Sequence, residues 1–130
     1  MRLLKEGLKI TSSEIPPQIQ QQIIRMQQLQ QSLELLISQR TQLEIQLRET
    51  EMALKELEGV KPEDAVYKIV GPLLVKADPS KVKGELEDLK VSIDTRIKTL
   101  KRQEERSRQQ LEEMREKIQA ALQGGVSPAG

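Results

Sequence analysis

The chain of 130 residues contains no cysteine, histidine, phenylalanine or tryptophan, and Tyr67 is its only aromatic residue. Without cysteine and histidine, the sequence excludes a disulfide framework and the usual zinc sites. It also excludes a nucleophile that is activated by histidine. We therefore expect no enzymatic activity, no bound cofactor and no metal.

An excess of charge of one sign is also missing, because 21 basic residues offset 20 acidic ones. The two signs alternate closely, and no aromatic residues stand among them to stack on bases, so the sequence predicts no nucleic-acid partner. No apolar run approaches 18 residues, and the first residues lack the apolar region and cleavage site of a signal peptide. These absences predict a cytoplasmic protein with no membrane partner.

Helix-forming residues are abundant instead: Ala, Glu, Lys, Leu and Arg make up about half of the chain, as in coiled coils. A heptad repeat begins at Ile19, and nine of its twelve a and d positions are apolar. Two prolines precede it, and Gly59 and Pro62 follow it, so we predict a first helix over 15–58. Its polar seam residues are predicted to set the register. The twelve positions are Ile19, Gln22, Met26, Leu29, Leu33, Leu36, Arg40, Leu43, Leu47, Thr50, Leu54 and Leu57.

A second helix is predicted over 79–123, with Asp78 as its N-cap and proline at its first position. Its seam contains a four-residue step from Ile93 to Ile97, which we interpret as a stutter in the supercoil. We expect Glu104 to pair with Arg108 on a solvated face, and we exclude Glu104 and Glu105 as a catalytic pair. The predicted seam comprises Val82, Leu86, Leu89, Ile93, Ile97, Leu100, Leu111, Met114, Ile118 and Ala121.

The segment 59–78 lies between the helices and is rich in β-branched residues, with one break at Gly71-Pro72. This pattern predicts a linker and a β-hairpin, so the two helices must run antiparallel. A lone hairpin is marginally stable and has open edges, so we expect hairpins of several chains to assemble into a sheet or barrel. The alternative is a hairpin that caps its own coil. The predicted oligomerisation residues are Val66, Tyr67, Ile69, Val70, Leu73, Leu74 and Val75.

Apolar residues also cluster at the start of the first predicted helix and at the end of the second. These two segments meet at the predicted tip of the coil, far from the hairpin. A two-helix coil has a narrow contact stripe and cannot cover all of them, so we predict a binding site for apolar partners. The alternative is that they complete the seam of the coil. We interpret 1–14 as an N-terminal arm and 124–130 as a C-terminal tail. The predicted site comprises Ile15, Ile19, Ile23, Ile24, Met26, Met114, Ile118, Ala121 and Leu122.

The sequence resembles the β-type subunit of archaeal prefoldin over about 15–123. The resemblance rests on three segments: 66–76, with Val-Tyr-Lys-Ile-Val-Gly and Leu-Val-Lys; 96–104, with Arg-Ile-Lys-Thr-Leu-Lys-Arg-Gln-Glu; and the opening Ile-Pro-Pro-Gln-Ile-Gln at 15–20. A single hairpin favours the β-type over the α-type subunit, which has two.

That resemblance implies a hexamer of two α-type and four β-type subunits, whose hairpins form a β-barrel platform. It also implies that the coil tips hold unfolded client proteins and deliver them, without ATP, to a group II chaperonin. From the residues alone, a structural tether or scaffold that assembles through its hairpin but binds no client stays open as the second hypothesis.

Overall fold

The computed structural model describes residues 15–123, so the predicted arm and tail lie outside the described residues. The hairpin lies between two long helices in chain order and its two strands are antiparallel, which confirms the predicted fold class of a mainly α chain. The elements in chain order are α1 (Pro17–Leu57), β1 (Val66–Val70), β2 (Leu73–Ala77) and α2 (Pro79–Gln123).

Helix α1 begins at two consecutive prolines, which are unfavourable in the interior of a helix and so oppose its extension towards the N-terminus. The carbonyl oxygen of Pro16 accepts hydrogen bonds from the amides of Ile19 and Gln20, at 2.9 and 3.0 Å. Pro17 stands at the first helical position, where its missing N–H costs nothing. The side-chain amide of Gln20 also donates to the carbonyl of Ile15 at 2.8 Å, which ties the preceding residue to the first turn.

Helix α2 begins with the cap that the sequence predicts. A carboxylate oxygen of Asp78 accepts hydrogen bonds from the amide and the hydroxyl of Ser80, both at 3.1 Å. The Asp78 carbonyl then accepts from the amide of Val82 at 3.0 Å, which is the first bond of the helix. Because the cap satisfies an otherwise unpaired amide, α2 follows β2 almost directly.

The heptad of α1 is confirmed by burial, because all twelve predicted a and d residues are buried or half-buried. Two of the polar residues at these positions form hydrogen bonds within α1 itself. Thr50 is buried, and its hydroxyl donates to the carbonyl of Gln46 at 2.8 Å within the same helix. Arg40 is half-buried and pairs with Glu44 at 3.1 Å, one turn further along.

The seam of α2 departs from the prediction at Leu89, which is 46 % exposed. Its neighbour Lys90 is half-buried and directs its ammonium group to the Glu51 carboxylate at 3.5 Å. The seam therefore takes two successive four-residue steps, from Val82 to Leu86 and on to Lys90, so the stutter lies nearer the hairpin than predicted. The physical reason is that a lysine can bury its methylene groups while its charge stays in water.

Glu104 also departs from the prediction, because it is 2 % exposed and not on a solvated face. The heptad that continues from Ile97 places Glu104 at an a position and Ser107, also buried, at the next d position. The heptad position of these two residues, and not the polarity of their side chains, therefore determines that they are buried. The predicted pairing with Arg108 is present, at 3.5 Å.

The chain divides into two compact units. The first, called the hairpin unit, comprises 37–102, and the second, called the terminal unit, comprises the described residues of 15–36 and 103–123. In the hairpin unit Leu43 packs with Ile93 and Ile97, flanked by Leu47 and Leu100. Nearer the hairpin, Glu51 pairs with Lys90, so the helices of this unit run antiparallel. The buried apolar side chains of the terminal unit are Ile19, Leu33 and Ile118.

Candidate interaction surfaces

The hairpin turn depends on a glycine. Val70 pairs with Leu73 across a two-residue loop, in which Gly71 has a φ of 58° and Pro72 follows. A positive φ at the first loop position and the fixed negative φ of proline at the second match a type II′ turn. This turn has the twist that two antiparallel strands need, and it fixes the register of every pair behind it.

One face of the hairpin points away from the helices and has two large apolar side chains at its centre. Ile69 and Leu74 lie directly opposite each other and are 77 % and 71 % exposed, the highest values among the exposed large apolar side chains of the described chain. Tyr67 and Lys76 form the next pair on this face. We call these four residues the outer face. A solvated hairpin gains nothing from two large aliphatic groups at its centre, so the outer face has the character of an interface.

The other face is held near the start of α2. Lys68 lies on it and pairs with Glu85 at 3.4 Å, although both side chains are more than 40 % exposed. Such a pair contributes at most about 1 kcal/mol, so it orients the hairpin more than it stabilises it. Val66 and Ala77, which pair at the hairpin base, are half-buried. The sequence pattern alone did not reveal this attachment, because its partners are 17 residues apart.

The predicted oligomerisation residues therefore fall on both faces of one two-stranded sheet. In the part of the chain that the structure describes, this sheet has no third strand, so both of its edges carry unpaired backbone groups. On the outer face lie Tyr67, Ile69 and Leu74, and on the other lie Val66, Val70, Leu73 and Val75.

The predicted tip residues all belong to the terminal unit but differ in exposure. Ile19 and Ile118 are buried, at 8 % and 6 % exposed, so they serve the coil itself. Ile24 lies off the seam, as its position predicts, and is 53 % exposed. The half-buried remainder comprises Ile15, Ile23, Met26, Met114, Ala121 and Leu122. Surface available to a partner thus centres on Ile24 and on the open sides of the half-buried residues.

A groove of about 450 Å³ runs between the two helices of the terminal unit. Leu29 and Met114 are its half-buried apolar members, and polar side chains form its rims. The rims consist of Arg25, Gln28, Ser32, Gln110, Glu113 and Lys117. None of these six side chains is engaged in a hydrogen bond or ion pair within the described residues.

The hairpin unit has a groove of similar size but of different chemistry. It has one apolar member, Leu54, and three acidic and three basic side chains along its rims. The pair between Glu51 and Lys90 bridges it. Balanced charges and a bridging pair leave little apolar surface, so this groove is the weaker candidate for binding. The rim residues are Glu51, Lys55, Glu58, Lys83, Glu87 and Lys90.

The described residues contain no cluster of carboxylate or other ligands that could hold a metal ion. Among the same residues, neither helix is both long and apolar enough to cross a membrane.

Comparison with known proteins assigns the chain to a family. The sequence model described as "Prefoldin subunit" matches residues 20–125. The prefoldin subunit beta of Archaeoglobus fulgidus is 48 % identical over 109 residues, which cover 84 % of this chain and 94 % of that protein. The prefoldin subunit beta of Methanosarcina acetivorans is 39 % identical over 111 residues, covering 85 % of this chain and 95 % of the relative.

A solved structure has the same fold. The crystal structure of the prefoldin beta subunit from Thermococcus strain KS-1 superimposes with a TM-score of 0.76 at 35 % identity. The match covers 83 % of this chain and 95 % of that one.

Proposed function

Because this chain belongs to the prefoldin family and groups with its archaeal β subunits, we propose that it is a subunit of an ATP-independent holding chaperone. It captures unfolded proteins with the apolar surface of its terminal unit, prevents their aggregation and delivers them to a group II chaperonin. The proposed site of action is the cytoplasm, and the proposed assembly contains two α-type and four β-type subunits.

The observation that carries this proposal is the exposed outer face of the hairpin. Ile69 and Leu74 are too exposed and too apolar for an isolated hairpin, whose open edges also invite pairing with other strands. Closing hairpins into a shared barrel buries these groups and brings several copies of the terminal unit into one particle. Weak contacts then add through effective concentration, which suits the capture of clients that have no fixed structure.

The terminal unit supports the capture step. Ile24 is exposed, and Leu29 and Met114 are half-buried in an open groove. Aliphatic side chains and methionine adapt to apolar segments of varied shape. Burial of two or three such groups contributes roughly 3–5 kcal/mol before ordering costs, which is weak for one subunit and sufficient for several together.

Light scattering from a denatured protein diluted into buffer without nucleotide tests the holding function. The chain is assembled with its α-type partner, either intact or with Ile15, Ile24 and Leu122 changed to Ser. These three positions avoid the buried Ile19 and Ile118, so the coil keeps its seam. We expect the intact assembly to suppress aggregation and the variant to lose most of that effect.

The matched control changes Met52, Leu89 and Val91 of the hairpin unit to Ser; all three are exposed, so it removes more exposed apolar surface than the tip variant does. This control should suppress aggregation as the intact assembly does. If the intact assembly forms but never suppresses aggregation, the chain is a scaffold and the proposal is wrong. If both variants suppress equally well, clients bind elsewhere than at the predicted tip.

A further inference from the structure

One face of α1 in the terminal unit lacks charge altogether. From Ile24, steps of four, three and four residues lead to Gln28, Gln31 and Leu35, which share one line along the helix. All four are exposed, and the two apolar ends of the line are 53 % and 59 % exposed. We call this line the glutamine face.

The glutamine face lies outside the coil seam, although Gln28 also lines the rim of the groove. Its residues hold the c and f positions of the heptad, so they take no part in the contact that a and d residues make. The neighbouring charged residues Arg25 and Glu34 stand about 100° around the helix from the ends of the line. The face thus has two aliphatic and two amide side chains over roughly 16 Å.

The same heptad positions of α2 provide a comparison within the same unit. Beside the glutamine face they are occupied by Arg106, Gln109, Glu113 and Glu116, all exposed, and three of these four are charged. The two further positions, Ala120 and Gln123, are exposed and uncharged. A charged majority, as at the first four positions, is the ordinary composition of a solvated helix face. The difference between the helices therefore has no origin in the fold, which treats both outward faces alike.

We propose that the glutamine face is a second contact surface for unfolded polypeptide, continuous with the tip site through Ile24. This inference rests on the proposed holding function and extends it from the tip along the side of α1. No capture by charge is available here, because the four side chains are uncharged.

The chemistry of the face fits an unfolded segment better than a folded partner. An unfolded chain presents aliphatic side chains together with peptide groups that have no intramolecular partner. Ile24 and Leu35 offer apolar contact to the aliphatic side chains of such a segment. Each glutamine amide offers two hydrogen-bond donors and an acceptor to its peptide groups. A helix or a closed sheet has already paired its peptide groups internally and offers these amides only side chains and water. The face is long enough for about five extended residues.

Photo-crosslinking locates the client directly. p-Benzoylphenylalanine is placed at Gln31, and in a separate sample at Gln109, of the full chain in its assembly. Both are exposed f-position glutamines, and the residues that follow them, Ser32 and Gln110, line the same groove, so the two positions lie at the same level of the unit. The probe is fluorescein-labelled α-lactalbumin that has been reduced and carboxymethylated so that it cannot refold.

We expect the probe to cross-link at Gln31 at least fivefold more than at Gln109. Equal yields would overturn the inference, and so would cross-linking only from a third sample with the photoreactive residue at the tip position Ile24. A product that joins two subunits from Gln31 without any probe would identify the face as a subunit interface instead. If no position cross-links and the intact assembly does not bind the probe, the proposed function itself fails.

A substitution provides a second readout. Leu35→Gln removes the exposed leucine but keeps a helix-forming residue, and we expect it to weaken binding of the labelled probe roughly three- to tenfold by fluorescence anisotropy. Val91→Gln is the control, since Val91 is 65 % exposed on α2 with acidic residues at 87, 88 and 94. It should leave the affinity unchanged, and an equal loss in both variants would contradict the inference.

Discussion

At the scale of single residues, the buried Glu104 is the least expected feature of the coil. Burying a carboxylate costs free energy that its interactions offset, so removing the carboxylate leaves the groups around it without their partner. Glu104 pairs with Arg108 and has a further interaction, and we therefore expect Glu104→Leu to lower the free energy of unfolding by about 1–3 kcal/mol. Arg108 is half exposed and regains hydration, which keeps the loss smaller than for a fully buried pair. Urea unfolding of the assembly, followed by circular dichroism, measures the change.

The control for this prediction is Glu105→Leu, one residue further along and exposed. It should alter the free energy of unfolding by less than about 0.5 kcal/mol, as surface changes usually do. An equal or higher stability for Glu104→Leu would mean that the buried carboxylate does not stabilise the coil. The natural glutamate would then serve the register of the coil and not its strength.

Residue identities in the seam were predictable where spacing and hydropathy agree, as at Leu43 and Ile97, and not where they conflict. At positions 89 and 90 hydropathy favours the leucine, yet the helix places the lysine towards α1. At 104 the heptad favours burial and the side chain favours water, and the heptad prevails. In both cases the direction of the side chain around the helix axis decides whether it is buried. That direction depends on the sequence of three- and four-residue steps along the whole seam, which the local pattern does not reveal.

At the scale of elements, the hairpin depends on the backbone of Gly71, whose φ of 58° is unfavourable for any L-residue with a Cβ. A Cβ added there meets no atom within 4 Å, so a substitution is penalised by conformation alone. We expect Gly71→Ala to destabilise the hairpin by about 1 kcal/mol. Hydrogen exchange of the Val70 and Leu73 amides should then become roughly fivefold faster through local opening.

Gly84 of α2 provides the opposite case, because it has no positive φ and its added Cβ also meets no atom within 4 Å. Gly84→Ala should stabilise the first turns of α2 by about 0.5–1 kcal/mol, since alanine restricts the unfolded chain and favours helix. Amide exchange in those turns should become slower. Effects of the same sign at both glycines would show that backbone conformation does not control the hairpin turn.

The hairpin itself was predictable from the sequence because its signals are local: β-branched runs, a glycine-proline break and an adjacent helix cap. The direction of its faces was not, because Lys68 and Glu85 interact over 17 residues of sequence. The uncharged outward face of α1 had a readable signal in the four-three spacing of Ile24, Gln28, Gln31 and Leu35. The hydrophobic pattern did not reveal this face, because the apolar a and d residues of the same helix repeat with the same three- and four-residue steps and dominate that pattern.

At the scale of the whole molecule, the outer face of the hairpin predicts that the chain assembles. Ile69 is 77 % exposed and lies opposite Leu74, so a charge at this position stays hydrated in the single chain. In a shared barrel the same carboxylate would lose its hydration without a partner, which costs several kcal/mol per copy. We therefore expect Ile69→Asp to reduce the assembly to smaller species in native mass spectrometry, while circular dichroism of the helices stays unchanged.

Val91→Asp is the matched control, because Val91 is 65 % exposed but lies on α2 and not on the hairpin. It adds the same charge to the chain and should leave the assembly mass intact, so repulsion between subunits in general is separated from burial of the outer face. Lower salt strengthens such general repulsion and would enlarge any effect of Val91→Asp. The Ile69→Asp effect should persist at high salt, because the cost of a buried unpaired carboxylate is one of hydration and not of screening. An Ile69→Asp assembly of unchanged mass at both salt concentrations would place the subunit contacts elsewhere than on the outer face.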